Sequence, residues 1–479
     1  MLNLLLLYKI SIAELFKKED KLTKIEFGTD GWRAILDKDF TKENTLKVIN
    51  GIAEYIWSKT KYDKNILIGY DTRNKADDFA FFIAQKLSDF GFNVEISDTF
   101  VATPVLAFNA LNKKSYAIMI TASHNPPEYL GIKFIPPYGG PAEDYMVKEI
   151  VDNLENQFNP QKSNGKYITV NFEEAYLEHI KSLIDFDLLK KSDITINYDG
   201  HHGAGAKFFK RILDELNIKN YSQNLEKDIT FGGFMPDPKE KYLPALKKLC
   251  TENGYIGLSN DGDGDRFGVF NEKGEFVSPN EIIALLMTHL LKKGLKGKLA
   301  KTVGSSSMLE IYAKMNNTEI IETAVGFKWL GKAMRENNVL IAGEESGGLS
   351  IINHIPEKDG IIANLLIIEM LIKSGKKLYE LQKELKNKLG RNFITDRVDL
   401  KLDSKEEQQK IIDKFKDYKK IGEHEIISKN TIDGLKLTLN EDSTILIRKS
   451  GTEPLLRIYF ETDKEEKLPL LTDEVKRLI

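Results

Sequence analysis

One serine in a proline-rich turn stands in surroundings that suit covalent chemistry on a phosphoryl group. Ser123 lies in the segment Thr121–Phe134 (TASHNPPEYLGIKF), directly after the apolar run Tyr116–Ile120. Such a run predicts a buried strand, and the prolines predict a rigid surface loop that presents the serine hydroxyl. Because a serine hydroxyl is a weak nucleophile, it needs activating neighbours, and Lys133 follows ten residues later. The alternative is a Ser-His turn without chemistry, and three other loops decide between the two.

An acidic loop with regularly spaced glycines follows a second strand-like run. In Asn260–Arg266 (NDGDGDR), the carboxylates Asp261, Asp263 and Asp265 alternate with glycines. Carboxylates at this spacing can converge on one hard divalent cation, for which we predict Mg²⁺, and Arg266 would lie beside the phosphate that the cation binds. An EF-hand calcium loop would need glycine in place of Arg266 and helices on both sides, whereas strands are predicted here.

A third loop, Gly343–Gly348 (GEESGG), follows the apolar run Val339–Ala342. Its carboxylate and hydroxyl side chains, at Glu344 and Ser346, can accept and donate hydrogen bonds to the vicinal hydroxyls of a sugar. For this loop taken alone, an acidic glycine-rich turn without a ligand is the alternative.

A fourth loop, Arg448–Pro454 (RKSGTEP), combines a cation, two hydroxyls and a glycine. Arg448, Ser450 and Thr452, with backbone N–H groups that Gly451 leaves accessible, would form an anion-binding concavity between two strands. The alternative is a hairpin turn with exposed charges.

The size and composition of the chain limit its class. It has 479 residues, too many for one core, and 41% hydrophobic and 29% charged residues, which is typical of a soluble globular protein. A net charge of −3 with both signs interspersed offers no field to nucleic acid or an anionic membrane, so neither is expected as a partner. The single cysteine, Cys250, fits a reducing compartment. No apolar run reaches about 18 residues, and MLNLLLLYKI lacks a basic n-region, so we expect a cytoplasmic protein without a membrane span or signal peptide.

Three segments share the pattern strand, polar turn, helix, strand. They begin at Ile66–Asp71 (ILIGYD), Ile194–Asp199 (ITINYD) and Lys298–Val303, and the pattern is typical of sheets that contain parallel strands. The remainder of the chain alternates strands with two helices, as expected for antiparallel pairing. We therefore predict an α/β fold of three tandem related α/β layers with mixed sheets and a smaller α+β C-terminal domain, divided at 1–168, 169–276, 277–388 and 389–479.

The four loops, in this order, resemble those of the α-D-phosphohexomutase superfamily, the phosphoglucomutases and phosphomannomutases. The matching motifs are TASHNPP, DGDGDR, GEESGG and RKSGTEP, and the resemblance runs from about Phe27 to the C-terminus. It implies four domains around a central cleft, which agrees with the predicted organisation. Among the members, phosphoglucomutases are the closest in motif.

The resemblance implies a role for each matching residue. Ser123 is expected to be phosphorylated in the resting enzyme, with His124 beside it, and to share Mg²⁺ with the three aspartates. Arg33, in the segment Phe27–Arg33 (FGTDGWR), is expected to reach the reacting phosphate, and Lys133 to act as a catalytic lysine close to the serine. The residues expected to bind substrate are Arg266, Gly326, Phe327, Lys328, Glu344, Ser346, Arg448, Ser450, Gly451, Thr452 and Arg457.

The sugar loop departs from the pattern of two subgroups. Dual-specificity phosphomannomutase/phosphoglucomutases and phosphoglucosamine mutases usually carry histidine where this chain has Gly348. The segment His354–Gly360 (HIPEKDG) instead resembles the HIxEKDG segment of phosphoglucomutases. Lys358, with His354 nearby, thus becomes the candidate for acid–base or phosphate-binding work, and the departure favours glucose phosphate as substrate.

The expected reaction is the interconversion of hexose 1-phosphate and hexose 6-phosphate, with glucose as the expected sugar. Phospho-Ser123 would donate its phosphoryl group to a hexose monophosphate, glucose 1,6-bisphosphate would turn end for end, and its other phosphate would return to the serine. The alternatives are phosphomannomutase and phosphoglucosamine mutase within the superfamily and a sugar-phosphate phosphatase from another class. A non-catalytic sensor would be expected to lack Ser123 or an aspartate, and all are present. We expect a hexose phosphate as partner and a monomer or homodimer.

Overall fold

The computed structural model of the protein describes residues 25–28, 31–59, 64–159, 165–449 and 455–479. These residues form three α/β domains with mixed sheets, followed by a C-terminal α+β domain. The predicted fold class is therefore confirmed. The leading segment MLNLLLLYKI and the residues Ser450–Pro454 lie outside the described part of the chain.

The first domain is built on a seven-stranded sheet in the described residues. Its strands are β1 (Phe27–Gly28), β2 (Gly31–Ile35), β3 (Asn65–Tyr70), β4 (Asn93–Ser97), β5 (Tyr116–Ile120), β6 (Tyr129–Ile135) and β7 (Lys166–Val170), and its helices are α1 (Lys42–Ser58), α2 (Ala76–Asp89), α3 (Thr103–Lys113) and α4 (Asp144–Asp152). The strand order is β1-β2-β6-β5-β3-β4-β7, and β3, β4, β5 and β7 are parallel.

The second domain repeats this pattern with a smaller sheet. Its strands are β8 (Thr195–Asp199), β9 (Lys219–Gln223), β10 (Ile256–Asn260), β11 (Phe267–Phe270) and β12 (Phe276–Val277), and its helices are α5 (Glu173–Lys181), α6 (Phe186–Lys190), α7 (Ala206–Glu215) and α8 (Pro244–Asn253). The order is β12-β11-β10-β8-β9, with β8, β9 and β10 parallel.

The third domain has a four-stranded sheet of the same kind. Its strands are β13 (Lys298–Thr302), β14 (Ile320–Thr323), β15 (Val339–Glu344) and β16 (Gly348–Ile351), and its helices are α9 (Pro279–Lys292), α10 (Met308–Met315), α11 (Phe327–Glu336), α12 (Gly360–Ser374) and α13 (Leu378–Leu389). The order is β14-β13-β15-β16; β13, β14 and β15 are parallel, and β16 is antiparallel to β15.

The C-terminal domain is an antiparallel sheet with two helices in the described residues. Its strands are β17 (Ile394–Lys401), β18 (Lys420–Ile421), β19 (His424–Asn430), β20 (Leu435–Leu439), β21 (Thr444–Lys449) and β22 (Leu455–Thr462), and its helices are α14 (Lys405–Asp417) and α15 (Lys467–Leu478). The order is β17-β22-β21-β20-β19-β18. The sequence did not predict β18 and β19, because the polar, largely exposed run HEIISKN has too few apolar residues to reveal a strand.

The same position in each α/β domain carries a loop of interest. A parallel strand turns back into an antiparallel strand between β5 and β6, between β10 and β11, and between β15 and β16. The three connections hold the serine, the aspartates and the sugar loop respectively. Because each follows the carboxyl end of a parallel strand, where ligand sites of α/β sheets form, three related layers can bring the loops to one cleft.

A buried helix joins the second and third domains. Twelve residues of α12 (GIIANLLIIEMLIKS) are buried, as expected for a helix that is apolar on nearly every side. Asp359 caps its start by accepting hydrogen bonds from the N–H groups of Ile361 and Ile362, and Gly375, with φ of +63°, follows its last turn. The helix packs against β10, β11, β16 and α9.

Elements cross the predicted domain limits by a few residues. β7 extends past residue 168 because it pairs with β4 along its whole length. β12 ends after residue 276, and α13 ends after residue 388. Within the described residues, no helix has both the length and the apolar character that crossing a bilayer requires.

Candidate active site

The serine and metal loops meet through their side chains. Ser123 Oγ donates a hydrogen bond to Asp261 Oδ2 at 3.0 Å. The backbones of the two loops are also close together. A Cβ added to Gly262 would lie only 2.8 Å from the carbonyl oxygen of Ser123. Glycine at position 262 is therefore required by the approach of the two loops.

The backbone of Ser123 has a left-handed conformation, with φ of +50°. Residues other than glycine keep this conformation only where the surroundings enforce it. The N–H of Ser123 donates to Thr121 Oγ1 at 2.8 Å, and the Thr121 hydroxyl donates to Asp71 Oδ2 at 2.5 Å. Ser123 is 1% exposed, so the predicted surface position of this serine is wrong, because the metal loop covers it.

Arg73, which belongs to none of the motifs in the sequence, holds the serine loop from the other side. Its guanidinium is fully buried and lies 3.4 Å from Asp71 Oδ2. Burial raises the pKa of Asp71 to about 6, although Arg73 opposes the rise. The polar pair Thr72 and Arg73, placed just after the end of β3, is the signal that could have identified this residue. Four main-chain carbonyl oxygens accept from its amino groups at 2.6 to 3.0 Å, those of Ser123, Asn125, Pro126 and Tyr129.

Three buried carboxylates form the candidate metal site. One oxygen from each of Asp261, Asp263 and Asp265 lies within 4.8 Å of the others, and all three residues are buried. Oδ1 of Asp263 and Oδ1 of Asp265 accept no hydrogen bond from the described part of the chain, and such buried acceptors suit a hard cation. Burial, followed by the charges of the other two carboxylates, raises the pKa of Asp261 well above its ordinary value. Strands flank the loop, so it is not an EF-hand, and the donor set fits one divalent cation.

Two lysines approach the same carboxylates from different domains. Lys133 Nζ, on β6, lies 2.8 Å from Asp263 Oδ2 and 2.8 Å from Asp265 Oδ2. Lys358 Nζ, from the segment before α12, lies 3.2 Å from Asp265 Oδ2. Both lysines are buried. They offset the negative charge of the triad, which Ser123 Oγ contacts through Asp261.

Cationic groups also surround the residue after the serine. His124 Nδ1 lies 3.3 Å from Ser123 Oγ. Burial, followed by the charges of Arg266 and Arg33, lowers the pKa of His124 well below 6.5. Arg266 Nη1 itself lies 3.6 Å from Asp237 Oδ1. This electropositive surrounding suits a phosphoryl group of charge near −2.

The sugar loop presents a buried carboxylate and a hydroxyl. Ser346 Oγ donates to Glu344 Oε1 at 2.8 Å. Burial raises the pKa of Glu344, and Lys358 opposes the rise. Lys328, at the start of α11, forms an ion pair with Asp144 of the first domain at 2.5 Å. The third domain is thereby tied to the first beside the candidate sugar site.

His354 lies away from these residues, which corrects the role considered for it. Its Nδ1 lies 3.0 Å from His179 Nε2, and its Nε2 lies 2.8 Å from Asp359 Oδ2. Tyr176 donates to the same oxygen of Asp359 at 2.6 Å. With both ring nitrogens used and the side chain buried, His354 supports the junction of α5 with the start of α12 rather than the cleft.

The predicted phosphate loop of the fourth domain is described only in part. Ser450, Gly451 and Thr452 lie outside the described residues. Arg448 is described, and its Nε donates to Asp433 Oδ2 at 2.7 Å. Arg457, on the neighbouring strand β22, pairs with Arg448 in register. Two arginines thus stand side by side at the end of the sheet that leads into the loop.

One cavity of about 1560 Å³ is lined by all four domains. Its wall contains cations from each of them, among them Arg33, Lys239, Lys358 and Arg457. A cleft of this size can hold a phosphorylated sugar together with water. The predicted residues in its wall are Arg33, His124, Arg266, Gly326, Phe327, Lys328, Glu344, Ser346, Lys358 and Arg457.

Four consecutive parts of the chain match models of one family. They are the phosphoglucomutase/phosphomannomutase alpha/beta/alpha domain I at residues 24–161, domain II at 174–274, domain III at 278–389 and the C-terminal domain at 401–478. The matches follow the order of the four domains described above. They therefore account for both the fold and the positions of its loops.

Known proteins resemble the chain over nearly its whole length. A phosphoglucomutase/phosphomannomutase of Thermococcus kodakarensis is 31% identical over 92% of this chain and 95% of its own. A phosphoglucosamine mutase of Dictyoglomus turgidum is 29% identical over 95% and 98% of the two chains. A crystal structure from Thermus thermophilus, provisionally assigned as a phosphomannomutase, superimposes with a TM-score of 0.84 at 29% identity over 95% and 98% of the two chains.

The four domain matches and the full-length relatives indicate the same family as the arrangement of the serine, metal and sugar loops. The chain belongs to the phosphoglucomutase/phosphomannomutase family of the α-D-phosphohexomutase superfamily and is a phosphohexomutase, an isomerase that acts by intramolecular phosphotransfer.

Proposed function

We propose that this chain interconverts hexose 1-phosphates and hexose 6-phosphates with phospho-Ser123 as the phosphoryl donor. The observation that carries the proposal is the 3.0 Å contact between Ser123 Oγ and Asp261 Oδ2 beside a cleft lined by four domains. Serine, triad and cations are the parts that phosphoryl transfer needs, since positioning and charge compensation supply most of its catalysis.

The transfer itself exchanges one P–O bond for another. The bond from phosphorus to Ser123 Oγ breaks while a sugar hydroxyl oxygen bonds to phosphorus, and the hydroxyl proton passes to a base. Lys133, Arg33 and Arg266 would stabilise the charge on the transferred group. Lys358 and Glu344 both line the cleft. We infer that they accept and return this proton.

The triad is the inferred site of Mg²⁺. Asp261, Asp263 and Asp265 would hold the ion through their Oδ atoms, two of which have no other partner in the described residues. Bound there, Mg²⁺ would neutralise charge on the phosphoryl oxygens. Ser123 is expected to share the ion because its Oγ already contacts the triad.

The second phosphate of the intermediate needs its own site. We infer that Arg448 and Arg457, with the loop containing Ser450, Gly451 and Thr452, hold whichever phosphate is not reacting. When the bisphosphorylated sugar turns end for end, its two phosphates exchange these places. Glucose 1,6-bisphosphate is the intermediate expected for glucose.

The names of the relatives change the sugar that we infer as the preferred substrate. The expected preference for glucose is not confirmed, since the full-length relatives carry names for glucosamine as well as for mannose and glucose. We therefore infer glucosamine 1-phosphate and mannose 1-phosphate as substrates ahead of glucose 1-phosphate. Glu344 and Ser346 can bond to either a hydroxyl or an ammonium group at the sugar ring.

A single experiment tests both reaction and sugar. The purified chain is assayed for kcat/KM with the 1-phosphates of glucosamine, mannose and glucose, while inorganic phosphate release is followed in parallel. Formation of the 6-phosphates without matching release of phosphate supports the mutase. Release that equals substrate consumption would instead assign the phosphatase alternative, and the highest kcat/KM identifies the sugar.

A further inference from the structure

A carboxylate of the fourth domain accepts hydrogen bonds from two segments, one at the candidate phosphate site and one beside the candidate sugar site. Asp433 Oδ2 accepts a hydrogen bond from Arg448 Nε at 2.7 Å and another from the N–H of Val325 at 3.0 Å. Asp433 lies in the turn between β19 and β20, whereas Val325 directly precedes Gly326 in the third domain. One oxygen atom therefore connects the candidate phosphate arginine with the candidate sugar segment Gly326–Lys328.

The contact is oriented so that Arg448 can still bind an anion. Asp433 uses Nε, which leaves the two terminal amino groups outside this bond. A guanidinium fixed by a carboxylate is preorganised, and its planar fork can bind phosphate through two parallel hydrogen bonds. Arg448 also lies on the face of β21 that carries Thr444 and Leu446, both of which line the cleft.

The docking of the two domains does not depend on Asp433 alone. Asn430 Nδ2 donates to Glu322 Oε1 at 2.7 Å. The N–H of Ser307 donates to Glu461 Oε1 at 3.1 Å. Loss of the Asp433 carboxylate should therefore leave the fourth domain in place, which allows its local effect to be measured.

We propose that Asp433 is a positioning residue that couples the site of the non-reacting phosphate to the sugar segment. Its carboxylate fixes the guanidinium of Arg448 and, through the same oxygen, the backbone at Val325. A phosphate bound by Arg448 would therefore affect the carboxylate of Asp433, which also holds the backbone of the sugar segment. The inference rests on the proposed function, in which Arg448 binds that phosphate.

The first test compares Asp433→Asn with Asp413→Asn. The amide introduced by Asp433→Asn would keep the volume of the side chain but lose the charge that orients Arg448, whereas Asp413 pairs with Lys416 on the exposed face of α14. With the 1-phosphate that the wild type converts fastest, we expect D433N to raise KM about ten-fold and D413N to leave it unchanged. The slow hydrolysis of phospho-Ser123 by water, which needs no remote phosphate, should be equal in all three proteins. Equal KM values for D433N and D413N would overturn the proposal.

A double-mutant cycle shows whether Asp433 acts through Arg448. Arg448→Lys keeps a positive charge but removes the Nε donor. If Asp433 affects KM through Arg448, D433N/R448K should raise KM by about the same factor as R448K alone. If the two factors multiply, Asp433 acts by another route and the proposal fails.

The coupling to the sugar segment has a readout that does not need turnover. In the Ser123→Ala background, hydrogen exchange of peptides covering residues 323–328 is measured with and without 1 mM glucosamine 6-phosphate, about a physiological substrate level. We expect the ligand to slow exchange there, and D433N to abolish the slowing while peptides around Asn430 and Ser307 stay protected. Unchanged slowing in D433N would overturn the coupling. If the wild type converts none of the three sugars but the ligand slows exchange at residues 323–328 and D433N abolishes the slowing, only the proposed mutase function fails and the role of Asp433 stands. If the ligand does not slow exchange in the Ser123→Ala background, the coupling itself is overturned.

Discussion

The side chain of Lys358 occupies the space that any side chain at position 348 would need. A Cβ added to Gly348 would lie 2.5 Å from Lys358 Cδ and 2.7 Å from its Cγ. Gly348 is the position at which other subgroups of the superfamily carry histidine, by the resemblance of the sugar loops. The absence of a side chain there thus allows Lys358 to pass toward Asp265, which its Nζ approaches to 3.2 Å.

Gly348→Ala should therefore impair catalysis by moving Lys358. Real Cβ atoms do not approach other atoms this closely, so the lysine must shift, and a displacement of about 1 Å of a catalytic group can cost roughly a hundred-fold in rate. We expect kcat of G348A to fall toward that of Lys358→Met, as measured by steady-state assays. The control is Gly205→Ala, where the added Cβ would have its nearest neighbour at 3.5 Å. Wild-type kcat in G348A would show that the position of Lys358 does not matter.

The resemblance to the superfamily implied that Ser123 and Asp261 meet, and the structure supplies the physical reason, because both follow the carboxyl ends of parallel strands. The residue types in each loop pointed to the chemistry of the loops, but not to their convergence. The same relationship holds for Glu344 and Ser346, which lie at and just after the end of β15. The sequence could not reveal that Ser123 is buried, because the cover comes from a loop of another domain.

The residues that the sequence missed act through contacts between distant parts of the chain. Arg73 follows β3 by three positions, but its acceptors are carbonyl oxygens at residues 123 to 129, which no side-chain motif encodes. His354 looked like a cleft residue because Lys358 lies four positions away. Its actual partner His179 is 175 residues distant in sequence, and such a pair can be found only after folding.

Ser123→Ala should remove mutase activity by several orders of magnitude. The variant lacks the oxygen that would carry the phosphoryl group in the proposed mechanism, and intact-mass analysis should find about one phosphate per chain in the wild type and none in S123A. Because the serine is buried and its Oγ bonds to Asp261, we expect a loss of stability of about 1 kcal/mol, by denaturant unfolding. A matched variant, Ser374→Ala, should keep both phosphate and activity. Near-normal turnover in S123A would end the phosphoserine hypothesis.

Mg²⁺ should stabilise the folded chain as well as support its activity. The triad is buried and carries two oxygens without partners in the described residues, so a bound cation would relieve repulsion among three carboxylates. Binding to the native state alone stabilises it by about 2.7 kcal/mol at a hundred times Kd, and the Tm should rise with added Mg²⁺ and fall back with chelator.

Asp263→Asn separates this effect from a general effect of salt. The variant should lose the rise in Tm together with activity, whereas Asp78→Asn, an exposed change on α2, should retain both. An equal rise in Tm for wild type and D263N would place the ion elsewhere.

Glu369 should make the junction of the second and third domains sensitive to acid. Burial alone would raise the pKa of Glu369, but hydrogen bonds from His289 and Lys293 outweigh it and lower the pKa from 4.5 to about 2. His289 Nε2 lies 2.7 Å from Glu369 Oε2, and Lys293 Nζ lies 2.8 Å from Oε1. A carboxyl group with a depressed pKa stabilises the fold above its unfolded pKa, and this contribution is lost as the pH falls from about 4.5 to 2.

Between pH 4.5 and pH 2, the contribution of this one carboxylate to the free energy of unfolding falls by about 3 kcal/mol. Glu369→Gln should be less stable than the wild type at pH 7, because it leaves Lys293 without its charged partner, and should lose less stability than the wild type between pH 5 and pH 3. Urea unfolding at several pH values measures both differences. Glu384→Gln, which removes an exposed carboxylate paired with Lys376, should follow the wild-type pH dependence. If E369Q follows it too, the ionised carboxylate of Glu369 does not stabilise the junction.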